Sequence, residues 1–157
     1  MPKPIFIKND LIVLINDNIK LLKELDISVN ISFNSNLGQI IFESDKEQLS
    51  RVFFNLIKNS IESIIEKAQK DGDFDKKIVI ELNDYDDHIV LIIEDNGVGF
   101  KNLDMSKKEI LNPYFTTKKE GTGLGLSIVN KIINDHDGNI EFVSKEGGAK
   151  IKIIFNR

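Results

Sequence analysis

Between Asp45 and Ala68 apolar residues recur at helical spacing, and this long segment restricts the possible folds more than any other feature of the chain. At about 100° per residue, Leu49, Val52, Phe53, Leu56, Ile57, Ile61, Ile64 and Ile65 share a broad face. A face that wide must be covered by a sheet or by other helices. Ser44 or Asp45 can cap the helix, with Glu47 near its first turn, and the polar stretch from Lys70 to Asp75 ends it. Strand patterns lie on both sides. Ile27, Val29, Ile31 and Phe33 alternate with polar neighbours; Asn36, Leu37 and Gly38 form a turn, and Gln39 to Glu43 returns as a second strand. Lys77 to Leu82 and the strongly apolar Ile89 to Ile93 follow, separated by turn residues Asn83 to Asp87. Asn139 to Val143 and Ala149 to Phe155 flank a Lys-Glu-Gly-Gly turn.

Two further helices are expected. One starts at Asn9 or Asp10 and carries Leu11, Leu14, Ile15, Ile19, Leu22 and Leu25. The other runs from Thr122 to about His136, with Gly138 as its C-terminal cap. The expected class is therefore α+β: one domain over residues 1–157, a two-layer α/β sandwich whose mixed sheet has its helices packed on one face. Residues 1–8, with Pro2 and Pro4, read as a lead-in without regular structure. Cysteine is absent, which excludes disulfides and thiolate metal sites. The net charge of -4 and the lack of a basic stripe give no footprint for nucleic acid. No apolar run approaches the roughly 20 residues of a membrane span, and no signal-peptide pattern opens the chain, so a cytoplasmic location is expected.

Three clusters carry chemistry. On the long helix, Gln48, Arg51, Asn55, Asn59, Glu62 and Glu66 share the stripe opposite the apolar face. Read alone, such a stripe is an ordinary solvated face. Asn is nevertheless a poor interior helix residue, and amide oxygens one turn apart can hold a hard cation such as Mg²⁺ that also shares phosphate oxygens. The second cluster is Asp95-Asn96-Gly97-Val98-Gly99-Phe100, directly after the apolar strand. Its carboxylate can accept from an exocyclic amine such as that of adenine. Its glycines allow close approach to a flat ligand or positive φ. A plain strand-to-loop turn explains the same residues equally well. In the third cluster, Gly121-Thr122-Gly123-Leu124-Gly125-Leu126 opens a helix, where exposed N–H groups and the helix dipole favour phosphate. It matches neither the dinucleotide-binding fingerprint nor a P-loop, whose glycines are spaced differently. Just upstream, Pro113-Tyr114-Phe115-Thr116-Thr117-Lys118 supplies hydroxyls and an ammonium within a long loop of little periodicity.

In this order and spacing the clusters resemble the nucleotide-binding domain of the histidine kinase, gyrase, Hsp90 and MutL superfamily, with its Bergerat-type fold. Asp45 to Ser63 looks like the N box, Asp95 to Gly99 the G1 box, Pro113 to Lys118 the F box and Gly121 to Gly125 the G2 box. The resemblance covers essentially the whole chain. It implies that Asp95 holds the adenine amine, flanked by Gly97 and Gly99. It implies that Asn59 ligates Mg²⁺ and that Asn55 supports metal and phosphates. Residues 101–120 would be an ATP lid carrying Phe115, Thr116, Thr117 and Lys118, and Gly121, Thr122, Gly123, Leu124 and Gly125 would contact phosphate. The ligands implied are ATP and Mg²⁺, and the residues implied in transfer are Asn55 and Lys118.

Position 55 separates the branches. The hydrolysing members carry a glutamate there, whereas this chain has Asn55, as histidine kinases do. An amide is no general base. The runs Asn55 to Ser63 and Asn112 to Ile128, with the opening Met1-Pro2-Lys3-Pro4, are most similar to nitrogen-regulation sensor kinases of the NtrY and NtrB kind. Glu62 departs from the Lys or Arg of many sensor kinases. Neither His88 nor His136 lies in the helical His-Glu or His-Asp context of a phosphoacceptor; His88 reads as structural or solvated, and His136 as a cation at a helix C-terminus. The chain is therefore expected to be the catalytic part of a longer, homodimeric kinase, monomeric by itself, with membrane anchoring of the parent left open. Its expected partners are the kinase's own dimerisation domain and a response-regulator receiver domain. Two alternatives share these motifs: an anti-sigma-type serine kinase and a non-catalytic nucleotide-sensing module.

Overall fold

The computed structural model describes residues 3–26, 28–99 and 124–157. Strand β1 (Ile7–Asp10) leads into helix α1 (Leu11–Leu25), followed by β2 (Asn30–Ser35), β3 (Ile41–Ser44) and the long α2 (Lys46–Asp71). Then come β4 (Lys77–Asp84), β5 (His88–Asp95), α3 (Leu124–Asp135), β6 (Gly138–Lys145) and β7 (Gly148–Asn156). Five strands form the main sheet in the order β2-β4-β5-β7-β6; β2 runs parallel to β4, and the other pairs are antiparallel. The sheet is thus mixed, with the helices on one face, as the periodicities imply.

Alternation decides which side of the sheet is covered. Ile78, Ile80 and Leu82 of β4, Ile89, Leu91 and Ile93 of β5, and Ile151, Ile153 and Phe155 of β7 all join the core. Between them lie Glu81, Glu94, Lys150 and Lys152, none of which is buried; Glu94 pairs with Lys145 at 3.0 Å and Lys150 at 3.8 Å. Helix α2 lies between α1 and α3 and packs on β5. Its face of Leu49, Val52, Phe53, Leu56, Ile57, Ile61 and Ile64 is buried. At roughly 1.5–3 kcal/mol per buried side chain, that burial far outweighs the fraction of a kcal/mol that each interior Asn costs the helix. Among the described residues no helix is long and apolar enough to cross a membrane.

The entrance of the chain differs from its sequence reading. Strand β1 begins at Ile7, inside the supposed lead-in, and pairs antiparallel with β3 in a separate two-stranded sheet. Strand β3 therefore does not return on β2 across the Asn36–Gly38 turn. Asp10 Oδ1 caps α1 through the Ile12 N–H at 3.0 Å and also accepts the Ile40 N–H at 3.2 Å, which fixes β3 beside the helix start. In α1, Leu25 is exposed, whereas Asn18 is buried with its amide on the Leu14 carbonyl and the Ser50 hydroxyl.

Asp45 caps α2: its Oδ1 accepts the Gln48 N–H at 3.0 Å, and its Oδ2 accepts the Ile5 N–H at 2.9 Å. The Ile5 bond is the largest of several influences that hold the Asp45 carboxyl below the usual carboxylate range. A lowered folded pKa contributes stability above the unfolded value, and that stability is lost as pH falls through the folded value. Asp45→Ala is expected to cost about 1 kcal/mol by denaturant titration at neutral pH, and less in acid.

At the other end of α3 the positive-φ residue is Asp137, at 55°, so the cap falls one residue before Gly138. Gly138 instead starts β6 where a Cβ would come within 2.9 Å of the Ile133 side chain and the Ile154 carbonyl.

Candidate functional site

The site forms where α2 passes the C-terminal end of β5. Inward-facing positions of that strand are Ile89, Leu91, Ile93 and, at its last residue, Asp95. The alternation that buries three apolar side chains therefore carries a carboxylate into the core, where Asp95 is only 5% exposed. Its Oδ1 accepts the Gly97 N–H at 2.9 Å. Weaker hydrogen-bonding influences from Ser60 and the Ala149 N–H also reach this carboxyl. Burial is the largest influence and pushes its pKa above the ordinary value; these bonds and the Lys145 charge oppose it only in part.

The turn that follows Asp95 is fastened to one stripe of α2. Val98 N–H donates to Ser63 Oγ at 3.0 Å, and the Lys67 ammonium donates to the Asn96 carbonyl at 3.1 Å. Ser60, Ser63 and Lys67 are spaced three and four apart, so they share a helix face. Asn96 points the other way. Its amide accepts the Lys77 N–H at 2.9 Å and donates to the Asp75 carbonyl at 2.6 Å, tying the turn to the start of β4.

Two glycines of the turn have separate tasks. A Cβ on Gly97 would overlap the Ser63 hydroxyl and come within 2.7 Å and 2.8 Å of the α2 backbone at Ser63 and Ile64. At Gly97 the close approach seen here is to the helix backbone. Gly99 has φ of 73°, the positive value the motif allows for.

The amide stripe faces the start of α3. Asn55 and Asn59 are half-buried on α2. A Cβ at Gly125 would lie 4.0 Å from Asn55 Nδ2, so the third glycine of the Gly121–Gly125 run meets the asparagine stripe. Leu124 is the first residue of α3. Phe100, Phe115, Thr116, Thr117, Lys118, Gly121, Thr122 and Gly123, with the whole of 101–120, lie outside the described residues. The structure thus brings Asn55 and Gly125 together and sets the turn at Gly97 and Val98 against the C-terminal half of α2, with Gly99 beside Gly148.

Sequence reasoning passed over two contributors. One is Ser60, buried in the apolar face of α2, where a hydroxyl needs a polar partner. Gly148 was read as half of a turn, yet it lies against the carbonyl of Asp95, which a Cβ there would overlap. Among the described residues no group of three or more His, Cys, Asp or Glu side chains forms a metal cluster.

The two histidines sit in different settings, neither on an exposed helix face. His88 begins β5 and pairs with Asp87. His136 is 3% exposed; its Nδ1 donates to the Ile132 carbonyl at 2.8 Å, and its Nε2 accepts the Asp45 N–H at 3.0 Å. A ring nitrogen that accepts carries no proton, so this imidazole is neutral. The helix-end cation expected for it is not what the geometry holds.

Comparison with known proteins agrees with this layout. The sequence profile of histidine kinase-, DNA gyrase B- and HSP90-like ATPases matches residues 44–157. A protein named as an NtrY-like sensor histidine kinase in Rickettsia bellii (strain RML369-C) is 34% identical over 157 residues, covering 99% of this chain and 24% of its own length. The chain thus spans about a quarter of that relative. Among solved structures, the nucleotide-free catalytic domain of histidine kinase ThkA superposes with a TM-score of 0.82 at 28% identity, over 97% of this chain and 95% of that one. ThkA in complex with the response regulator protein TrrA matches with a TM-score of 0.76 at 26% identity, over 96% of this chain and 41% of that one.

Proposed function

We propose a function from one premise: this chain belongs to the family of histidine kinase-, DNA gyrase B- and HSP90-like ATPases. It is the ATP-binding catalytic domain of an NtrY-like sensor kinase. It gives the γ-phosphoryl group of ATP to a histidine on the kinase's dimerisation domain, for onward transfer to an aspartate of a response regulator. The observation that carries this reading is the pairing of a buried acceptor, Asp95, with an asparagine stripe on the adjoining helix.

Asp95 would accept the adenine amine while the Gly97–Gly99 backbone passes beside the base. Asn59 would ligate Mg²⁺, and Asn55 would support metal and phosphates; their half-buried amide oxygens are hard donors suited to that ion. Magnesium, when bound, supplies neutralisation of charge on the transferring phosphoryl group. Gly125, with Leu124 and the Gly121–Gly123 run, would contact phosphate at the start of α3. Thr116, Thr117 and Lys118 would close over it from the lid, with Phe115 beside the nucleotide. Asn55 replaces the carboxylate that would activate water, so ATP is kept for transfer rather than hydrolysis. The domain works on the cytoplasmic side of its parent kinase.

Mixing the chain with [γ-³²P]ATP and a dimerisation domain from the same kinase tests this. Acid-labile, alkali-stable label on that domain is the expected result. Acid-stable label on a protein serine would identify the anti-sigma type of kinase instead, and ATP binding without transfer would leave a sensing module.

A further inference from the structure

We propose that Lys67 is a positioning residue for nucleotide recognition: through the peptide that joins Asn96 to Gly97, its ammonium holds the Asp95 carboxylate in the direction the site uses. This rests on the reading of Asp95 as the adenine acceptor and goes beyond it, to a residue of α2 that lies outside the sequence motifs. Both ends of that one peptide are engaged. Its N–H donates to Asp95 Oδ1 at 2.9 Å, and its carbonyl accepts from the Lys67 ammonium at 3.1 Å. A trans peptide is planar, with its N–H and C=O pointing opposite ways. A pull on the carbonyl from α2 therefore turns the N–H toward the carboxylate. The ammonium bond is also charge-assisted and polarises the peptide, which makes its N–H a better donor.

The peptide needs such a hold. On one side the Asn96 side chain is tied to the start of β4, through the Lys77 N–H and the Asp75 carbonyl. On the other, Val98 N–H donates to Ser63 Oγ at 3.0 Å. Between these anchors stands Gly97, and glycine has the freest backbone of any residue. No larger residue fits, because a Cβ would overlap the Ser63 hydroxyl. The residue that lets the turn lie on α2 thus also lets the preceding peptide swing, and Lys67 is the side chain of α2 that stops it. Lys67 is half-buried, and its ammonium lies 4.9 Å from the centre of the Phe74 ring, a cation–π contact that restrains it.

The test is calorimetric titration of the chain, in buffer without magnesium, with ATP and with purine riboside 5′-triphosphate, which lacks the amine. Lys67→Met keeps a stem of similar length and removes the donor. It is expected to weaken ATP about tenfold and to leave the amine-free analogue unchanged, so that the preference between them collapses. Lys67→Arg restores a cationic donor to a single carbonyl and is expected to recover most of that preference. A loss shared equally by both nucleotides is a role in packing alone and overturns the proposal. So does an unchanged preference in Lys67→Met, or a lost preference that Lys67→Arg fails to recover. Asp95→Asn is the reference. If it too keeps the preference for ATP, the adenine reading fails and takes this proposal with it. If Asp95→Asn loses the preference and Lys67→Met keeps it, only the positioning role is refuted. Lys67 lies near the end of α2 and outside the buried core, so thermal unfolding is expected to show each variant folded.

Discussion

Asp95→Asn is expected to weaken ATP binding about a hundredfold while the domain stays folded. The loss follows from the donors around the side chain. Gly97 N–H points at Oδ1, with weaker hydrogen-bonding influences on the carboxyl from Ser60 and the Ala149 N–H. An amide can keep its oxygen on the Gly97 N–H only by turning its NH₂ toward the position an adenine amine would occupy. A donor would then face a donor. Hydrogen bonds to charged groups are worth roughly 1.5–3 kcal/mol, and the upper end of that range corresponds to about a hundredfold. The fold is retained because the substitution is isosteric and removes a buried charge. Titration calorimetry and thermal unfolding of the same variant measure both halves.

The pH dependence has a definite sign. Burial raises the Asp95 pKa in the folded chain. A raised folded pKa means that the stabilising contribution of this group is fully present below the unfolded value and is lost as pH rises through the folded one. Nucleotide binding moves the other way, since the ionised group is the acceptor, and affinity is expected to fall as pH drops through that raised value. Asp95 therefore costs the empty domain some stability at neutral pH in exchange for recognition, as functional groups in cores often do.

Gly148→Ala is expected to be the more damaging change to the fold. A Cβ there would overlap the Asp95 carbonyl oxygen and lie 2.8 Å from the carbonyl carbon and 3.0 Å from the Asn96 Cα. Every one of these is backbone, so no side chain can swing aside. The strain falls where Gly148 starts β7 beside the end of β5, and Gly99 lies against the same residue, its Cβ position 2.7 Å from the Gly148 carbonyl. Overpacking costs about 1–3 kcal/mol when neighbours can yield; here about 3 kcal/mol or more is expected in denaturant titration. Gly147→Ala is the contrasting control for space, since nothing lies within 4 Å of its Cβ position, although its φ of 78° still disfavours a side chain.

These two residues also mark how far the sequence alone could be read. Asp95 was legible because an apolar strand that ends in a carboxylate and two nearby glycines is a local pattern. The asparagine stripe was legible for the same reason, since helical period places Asn55 and Asn59 together without knowledge of the rest of the fold. Gly148 was not, because the contact that requires a glycine comes from a strand more than fifty residues earlier. Strand β1 was hidden similarly: Ile7 pairs with Ser44, and periodicity within a proline-bearing segment carries no sign of so distant a partner. His136 was misread through a local rule, the affinity of helix ends for cations, which the Asp45 N–H overrides by requiring an acceptor. Ser60 fell between these cases. Its position in the apolar face was visible, but its meaning depended on which strand end lay opposite.

The most direct test of an amine-reading nucleotide site between α2 and the end of β5 is calorimetric titration of this chain with ATP and, separately, GTP in the presence of Mg²⁺. Saturable binding of ATP, with GTP at least tenfold weaker because it offers a carbonyl where adenine offers an amine, is the predicted result. Equal affinity for the two nucleotides, or no binding of either, would contradict it.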